Sequence, residues 1–262
     1  MPETDLALLI RAARGAGEIA LRYAGHTAKR WEKPGGAGPV TEADLAVNDY
    51  LAETLRAARP DYGWLSEETE DSTARLSAKT VFIVDPIDGT RSFIEGGRTW
   101  AHSIAIAHEG VTVAGVVFLP ARDRLFSAAK GEGAALNGAP VAARQTDNLR
   151  DAQILAARPI TDQKFWNGPV PEFVRAYRPS LAYRMALVGQ GRFDGMITFR
   201  PTWEWDIAAG SLIASEAGAT VTDRRGATLQ FNKADPRTSG VISAAPNLHR
   251  ALARAHNSAD GE

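Results

Sequence analysis

Val81-Phe-Ile-Val-Asp85-Pro-Ile-Asp88-Gly-Thr90 runs four apolar residues straight into two carboxylates three positions apart. A run of Val, Phe, Ile and Val reads as a strand buried on both faces, so Asp85, where the run ends, is held rigidly at the edge of the core. Pro86 fixes its own φ and restricts its predecessor. A tight turn is then expected to return Asp88 to the same side, with Gly89 allowing close approach of the backbone. Two hard oxygen donors on a stiff turn make half of a Mg²⁺ site. Taken alone, such a pair serves equally well as turn or cap residues.

Two further acidic motifs add weight. Ser66-Glu67-Glu68 follows the short run Tyr62-Gly-Trp-Leu65, which puts two acids at another strand end. Trp203-Glu204-Trp205-Asp206 opens the apolar run Ile-Ala-Ala-Gly210, an acid at a helix start flanked by aromatics. By itself the first is an ordinary solvated turn, and the second an acid favoured by the helix dipole. The three together are harder to explain as surface chemistry.

Around them the pattern divides in two. Leu9, Ala12, Ala16, Ile19, Ala20 and Tyr23 recur at helical spacing between Asp5 and Tyr23. A Pro/Gly stretch from Lys33 to Pro39 breaks that pattern, and Thr41 with Asp44 forms the start signal of a second helix that ends before Pro60. Short apolar segments at 81–84, 103–107, 111–119 and 125–128 lack room for crossover helices and should pair antiparallel, with Asn137-Gly138 marking a turn. After about residue 150, strands at 154–157, 196–199, 220–222 and 241–244 alternate with helices at 180–190 and 205–217. The expected organisation is an α+β unit over 1–150 that binds metal and phosphate, followed by an α/β unit over 151–262 that recognises substrate.

Composition narrows the function classes. The chain has 262 residues, 44% of them hydrophobic, which suits a packed globular core. Thirty Lys and Arg against 31 Asp and Glu give a net charge of -1, so no global field recruits nucleic acid or an anionic membrane. Cysteine is absent, which removes thiol nucleophiles and thiolate metal sites and suits a reducing compartment. The acidic start lacks the features of a signal peptide, and the expected location is cytoplasmic. No Gly-x-x-x-x-Gly-Lys-Ser/Thr loop or His-Glu-x-x-His motif occurs, and His26, His102, His108 and His249 read as structural or surface residues.

The chain resembles the inositol monophosphatase superfamily of Mg²⁺-dependent, lithium-sensitive phosphatases. The resemblance rests on Asp85-Pro-Ile-Asp-Gly-Thr90, on Glu67-Glu68 before it and on Trp205-Asp206 with Ala-Ala-Gly after it, in the family's order and at similar separations. It implies a layered α/β/α/β/α sandwich, with an antiparallel sheet in the N-terminal half and a mixed sheet in the C-terminal half. It also implies a homodimer that hydrolyses a small phosphorylated metabolite. Glu67, Asp85, the Ile87 carbonyl, Asp88 and Asp206 would bind two or three Mg²⁺, while Asp44, Thr90 and Glu67 would orient and activate the attacking water. Asp88, Gly89, Thr90 and Asp206 would also meet the phosphate. The chemistry agrees, because hydrolysis of an anionic ester needs cations clamping the attacking and leaving oxygens. Asp44 and Thr90 also read simply as helix-cap residues.

Family members differ in the alcohol they release. Inositol-specific members place an acid shortly before the Trp-Asp motif, whereas Gly195-Met-Ile-Thr-Phe-Arg-Pro-Thr-Trp203 has none. Arg200, with Arg184 and Arg192 upstream, suits a second phosphate, and Phe199 could stack on a base. This pattern, with Pro201-Thr202 and Ser180-Leu181, is similar to the bacterial CysQ-type 3'(2'),5'-bisphosphate nucleotidases, which convert PAP to AMP. Inositol 1-phosphate is the alternative, with Glu204 as the acid that would then grip the ring. Histidinol phosphate, or a regulatory protein that keeps this fold, ranks below. Phe199 reads equally as the end of a buried strand and Arg200 as a solvated side chain.

Overall fold

The computed structural model of the protein describes residues 3–24, 28–36 and 38–256. His26 and the tail from 258 onward, expected to fray, lie outside the described residues.

Helix α1 (Asp5–Tyr23) buries Leu8, Leu9, Ala12, Ala13, Ala16 and Ala20 along one stripe, as the spacing requires. The Pro/Gly stretch after it is bridged by a short antiparallel ribbon of β1 (Arg30–Glu32) and β2 (Pro39–Thr41). Thr41 then caps α2 (Glu42–Ala58) with the reciprocal capping box expected of Thr41 and Asp44.

A seven-stranded sheet follows in the order β3-β4-β5-β6-β7-β8-β9. Its members are β3 (Gly63–Ser66), β4 (Thr80–Asp88), β5 (Ala101–His108), β6 (Val111–Leu119), β7 (Arg124–Ala129), β8 (Ala134–Leu136) and β9 (Ala139–Val141), with the one-turn helix α3 (Thr90–Ile94) after β4. From β4 to β9 the pairing is antiparallel, as expected. The edge strand β3 instead runs parallel to β4, because residues 67–79 give the chain room to cross back. Asn137 (φ 49°) and Gly138 (φ 80°) turn β8 into β9.

The second sheet is mixed, in the order β11-β10-β12-β16-β14. It contains β10 (Gln153–Leu155), β11 (Val174–Ala176), β12 (Gly195–Thr198), β14 (Thr220–Thr222) and β16 (Val241–Ala244), while β13 (Thr202–Trp203) and β15 (Arg237–Thr238) form a separate ribbon. Its helices are α4 (Leu181–Gly189), α5 (Glu204–Glu216) and α6 (Pro246–Ala255). The pattern reading missed β11, α6 and both ribbons. These are short, and α6 buries only Leu248, His249 and Leu252.

The layers stack as α1/α2, the large sheet, α4/α5, the second sheet and α6, giving the expected α/β/α/β/α order. Strand β4 is buried on both faces: Phe82 and Val84 pack toward α1 and α2, and Val81 and Ile83 toward α4 and α5. Each such side chain contributes about 1.5–3 kcal/mol by burial, so the strand cannot shift without a large loss. Helix α5 fits against α4 because its Ala-Ala-Gly segment is small. A Cβ on Gly210 would lie 2.7 Å from Met185 Cβ. No described helix is long and apolar enough to cross a membrane.

Candidate active site

Strand β4 delivers the first two acids, though by a different device from the one expected. It continues through Pro86 to Asp88, and against β5 its register shifts between Asp85, opposite Ser103, and Asp88, opposite Ala101. A bulge therefore replaces the expected tight turn. Pro86 suits it, having no N–H to lose from the ladder, and its carbonyl is bound by the ring Nδ1 of buried His102.

Each acid is held by further contacts. Asp85 Oδ1 accepts the Ile87 N–H at 2.9 Å. Asp88 Oδ2 accepts from Ser180 Oγ and from the Ala182 N–H, both at 2.7 Å, which ties β4 to the start of α4. Asp206 arrives from the first turn of α5. Trp203 and Trp205 on either side of Glu204 stack on each other at 4.6 Å between centroids, which explains the aromatics flanking this motif.

Asp85, Asp88 and Asp206 each offer a carboxylate oxygen, all within 4.8 Å of one another. Burial first, and the neighbouring acids second, push Asp85 and Asp206 well above the ordinary carboxylate range. Burial also raises Asp88, to about 6, against the opposing hydrogen bonds from Ser180 and Ala182. Three buried carboxylates this close favour a cation among them, and an all-oxygen donor set suits a hard ion such as Mg²⁺.

Glu67 stands outside that group of three but faces the same cavity. Its N–H donates to the Val84 carbonyl at 3.1 Å, fixing it beside β4. Its Oε1 accepts from Lys33 Nζ at 2.7 Å, and Glu68 Oε1 accepts from the same ammonium at 2.6 Å. Burial disfavours the charge of Lys33, yet the two glutamates outweigh it and raise its pKa. Sequence reasoning missed Lys33, since a lone lysine in a Pro/Gly stretch carries no signal of its partner.

Asp44 makes the cap contacts expected of it and also reaches Thr90. Its Oδ2 caps α2, accepting from Thr41 N–H at 2.8 Å and Thr41 Oγ1 at 2.6 Å, while its Oδ1 lies 3.3 Å from Thr90 Oγ1. The Thr90 hydroxyl also reaches the Ile87 carbonyl at 3.1 Å. Burial pushes Asp44 up to about 6. Gly89, before α3, has φ 98°, a left-handed conformation that a side chain would strain.

Glu67, Asp85, Ile87, Asp88, Thr90 and Asp206 line a cavity of about 300 Å³ together with Tyr177, Arg184, Thr198 and Arg200, while Asp44 lies behind Thr90 and outside it. Arg200 is exposed and, among the described residues, makes no ion pair or hydrogen bond with its guanidinium. Arg184 is buried and spends Nε on the Arg178 carbonyl at 2.5 Å. Three expectations fail here. Phe199, just past β12, is 2% exposed and stacks on His256 in the core beneath α6, on the same side as Ile197, so it does not line the cavity that holds the acids. Arg192 lies over Phe193 and does not line the cavity. Glu204 is fully buried and accepts the N–H groups of Asn232 and Lys233, so it cannot grip a substrate ring. Tyr177 was missed, sitting between elements in a stretch without periodicity.

The model of the inositol monophosphatase family matches residues 1–260. An inositol-1-monophosphatase of Rhizobium meliloti is 36% identical over 207 residues, covering 73% of this chain and 74% of its own. The Nus factor SuhB of Salmonella typhimurium is 31% identical over 258 residues, covering 94% and 93%. Among solved structures, the Thermotoga maritima IMPase superposes with a TM-score of 0.82 at 27% identity, covering 95% of both chains. The extragenic suppressor protein SuhB of Bartonella henselae gives 0.80 at 29%, covering 94% and 96%.

Proposed function

Since the chain belongs to the inositol monophosphatase family, we propose that it is a Mg²⁺-dependent phosphomonoesterase whose substrate carries a second anion, a 3'(2'),5'-bisphosphate nucleotide such as PAP. The observation that carries this reading is the cavity's lining: beyond Glu67, Asp85, Asp88 and Asp206 it holds no further acid among the described residues, and the exposed guanidinium of Arg200 stands beside Thr198 within reach of the charge of Asp206. A polyol asks for acceptors there; a second phosphate asks for guanidinium.

Asp85, Asp88 and Asp206 would hold the metal, with Glu67 and the Ile87 carbonyl beside them. Mg²⁺, when bound, supplies neutralisation of the phosphoryl charge and makes water acidic enough to attack near neutral pH. Thr90 turns its hydroxyl proton toward Asp44 or the Ile87 carbonyl, which leaves its lone pairs free to accept from the attacking water. Asp44, raised toward neutrality by burial, is suited to take up the proton that Thr90 passes on. Glu67, just past the end of β3, lines the same cavity and would meet the same water. Gly89 permits the backbone to turn close to the phosphoryl oxygens, and Arg200, unpaired at the rim, takes the second anion.

Inositol 1-phosphate is the second reading, favoured by the name of the Rhizobium relative. A regulatory role takes its support from the name Nus factor borne by the Salmonella relative, while the intact acid cluster supports turnover. A homodimer, which the family resemblance implies, is checked by sedimentation. The deciding assay is phosphate release from PAP and inositol 1-phosphate side by side, with Mg²⁺ and with or without lithium. A higher kcat/KM for PAP is expected; a preference for inositol 1-phosphate rejects the nucleotide reading.

A further inference from the structure

Tyr177 is 49% exposed, an unusual state for a large aromatic side chain on the wall of a cavity that also holds the acid cluster. It is not a loose side chain. The Arg184 guanidinium lies over its ring, 4.5 Å from the centroid, and Arg184 is itself only 4% exposed. Arg184 Nε and Nη2 bind the carbonyls of Arg178 and Pro179, at 2.5 and 3.4 Å, so the backbone next to Tyr177 is pinned by the same side chain that backs its ring. One face of the ring is thus covered by a buried cation. Half of the residue's surface remains open, and the residue lines the cavity.

From this we infer that Tyr177 is the stacking platform for a flat aromatic ring in the alcohol half of the substrate, a nucleobase, with Arg184 as its positioning residue. The inference rests on the nucleotide reading of the site and adds the residue that recognises the base. Stacking is suited to this place because a flat ring offers a π-face whatever its hydrogen-bonding edge, and an aromatic ring already held in position loses little freedom on binding. Arg184 does not need to touch the substrate for this role. It fixes the plane on which the ring rests, while Arg200 remains for the second phosphate.

The test compares the parent protein with Tyr177→Ala and Tyr177→Phe on adenosine 3',5'-bisphosphate and on a base-free ribose bisphosphate, with Mg²⁺. Tyr177→Ala should raise KM for the nucleotide about tenfold, with kcat changed less than about twofold. Tyr177→Phe should retain the parent KM, and neither variant should alter KM for the base-free substrate. Equal effects on both substrates would overturn the assignment. So would an unchanged KM in Tyr177→Ala combined with a raised one in Ala157→Leu, which would put the ring in the neighbouring apolar recess lined by Pro159 and Ile160. A change in sedimentation of Tyr177→Ala without a change in KM would make the residue part of an interface between copies, and would also overturn it. Failure of the parent to hydrolyse the nucleotide removes the reading and the platform together, whereas nucleotide turnover indifferent to Tyr177 removes the platform alone.

Discussion

On one side of the cavity, Asp85 and Asp88 sit on a strand buried on both faces, and Asp206 sits in the first turn of a helix wedged between two sheets. Elsewhere on its lining, Tyr177 lies between elements and Arg200 follows the end of β12, exposed, its guanidinium without a hydrogen bond or close ion pair among the described residues and held only by the field of Asp206. The acids are over-determined: Asp88 alone is held by Ser180 and by the Ala182 amide. Arg200 is held by nothing comparable. The difference matches what each side has to do. Carboxylates that share a cation must keep their spacing while repelling one another, so the fold has to supply the rigidity. A guanidinium that meets a mobile anion needs its donors free, and its planar fork is already shaped for a phosphate.

The largest effect is expected from Asp85→Asn, which leaves shape and the Ile87 contact but removes one of the crowded charges. Hydrolysis should fall by at least about 100-fold, since even an outer partner of a metal ligand is worth about 10- to 100-fold. Thermal stability without Mg²⁺ should rise, because burial and four neighbouring acids, Glu67, Asp88, Asp206 and Asp44, oppose the charge of Asp85. The stabilisation that Mg²⁺ gives the parent should shrink. Calorimetry with and without Mg²⁺ checks both points. A lower midpoint for the metal-free variant would mean that the cluster is not strained by its own repulsion, and the contrast between the two walls would lose its basis.

Arg200→Ala probes the other wall. It should lower kcat/KM for a bisphosphate about tenfold, the worth of one hydrogen-bonded charge. It should leave inositol 1-phosphate hydrolysis and the melting temperature nearly unchanged, since the side chain is exposed and unpaired. Equal losses on both esters would mean that Arg200 serves the reacting phosphate. The same contrast governs how much of the site can be read from the sequence. Val81 to Thr90 announces the acids because the strand, the proline and the carboxylates are neighbours in the chain. Thr41 and Asp44 likewise carry their own cap signal. Tyr177, Arg184, Thr198 and Arg200 meet only after the second sheet has formed, and Lys33 finds Glu67 and Glu68 across 34 and 35 residues. Phe199 was misjudged for a related reason: β12 is covered on both faces, Met196 by α4 and α5 and Ile197 by α6, and that the second face is covered at all depends on α6, which lies some fifty residues further along the chain.

The rigid wall also rests on a group that titrates. His102 is fully buried beside Trp100 and Phe118, its Nδ1 paired with the Pro86 carbonyl and its Nε2 without a hydrogen-bond partner among the described residues. Burial holds it down to about 4, from an ordinary value of 6.5, despite the opposing hydrogen bond. The imidazole is therefore neutral in the folded protein while the unfolded chain takes up a proton below 6.5. Between these two values the unfolded state binds more protons, so His102 leaves stability untouched well above the upper value and subtracts from it as pH falls toward the lower one. The loss reaches about 1.4 kcal/mol at about pH 5.5, from one pKa unit at 1.36 kcal/mol. Asp44 and Asp88, both raised to about 6, act in the opposite direction over part of this range, so the parent's own profile mixes the two. The difference between parent and His102→Asn isolates the imidazole. Urea unfolding at about pH 7 and about pH 5.5 should find the gap between the two proteins narrowing by about 1.2 kcal/mol at the lower pH, since about 0.2 kcal/mol is already lost at about pH 7, whatever the substitution costs in packing. A gap independent of pH would mean that His102 can charge in place, and that the bulge at Pro86 stands on something softer than a neutral, buried ring.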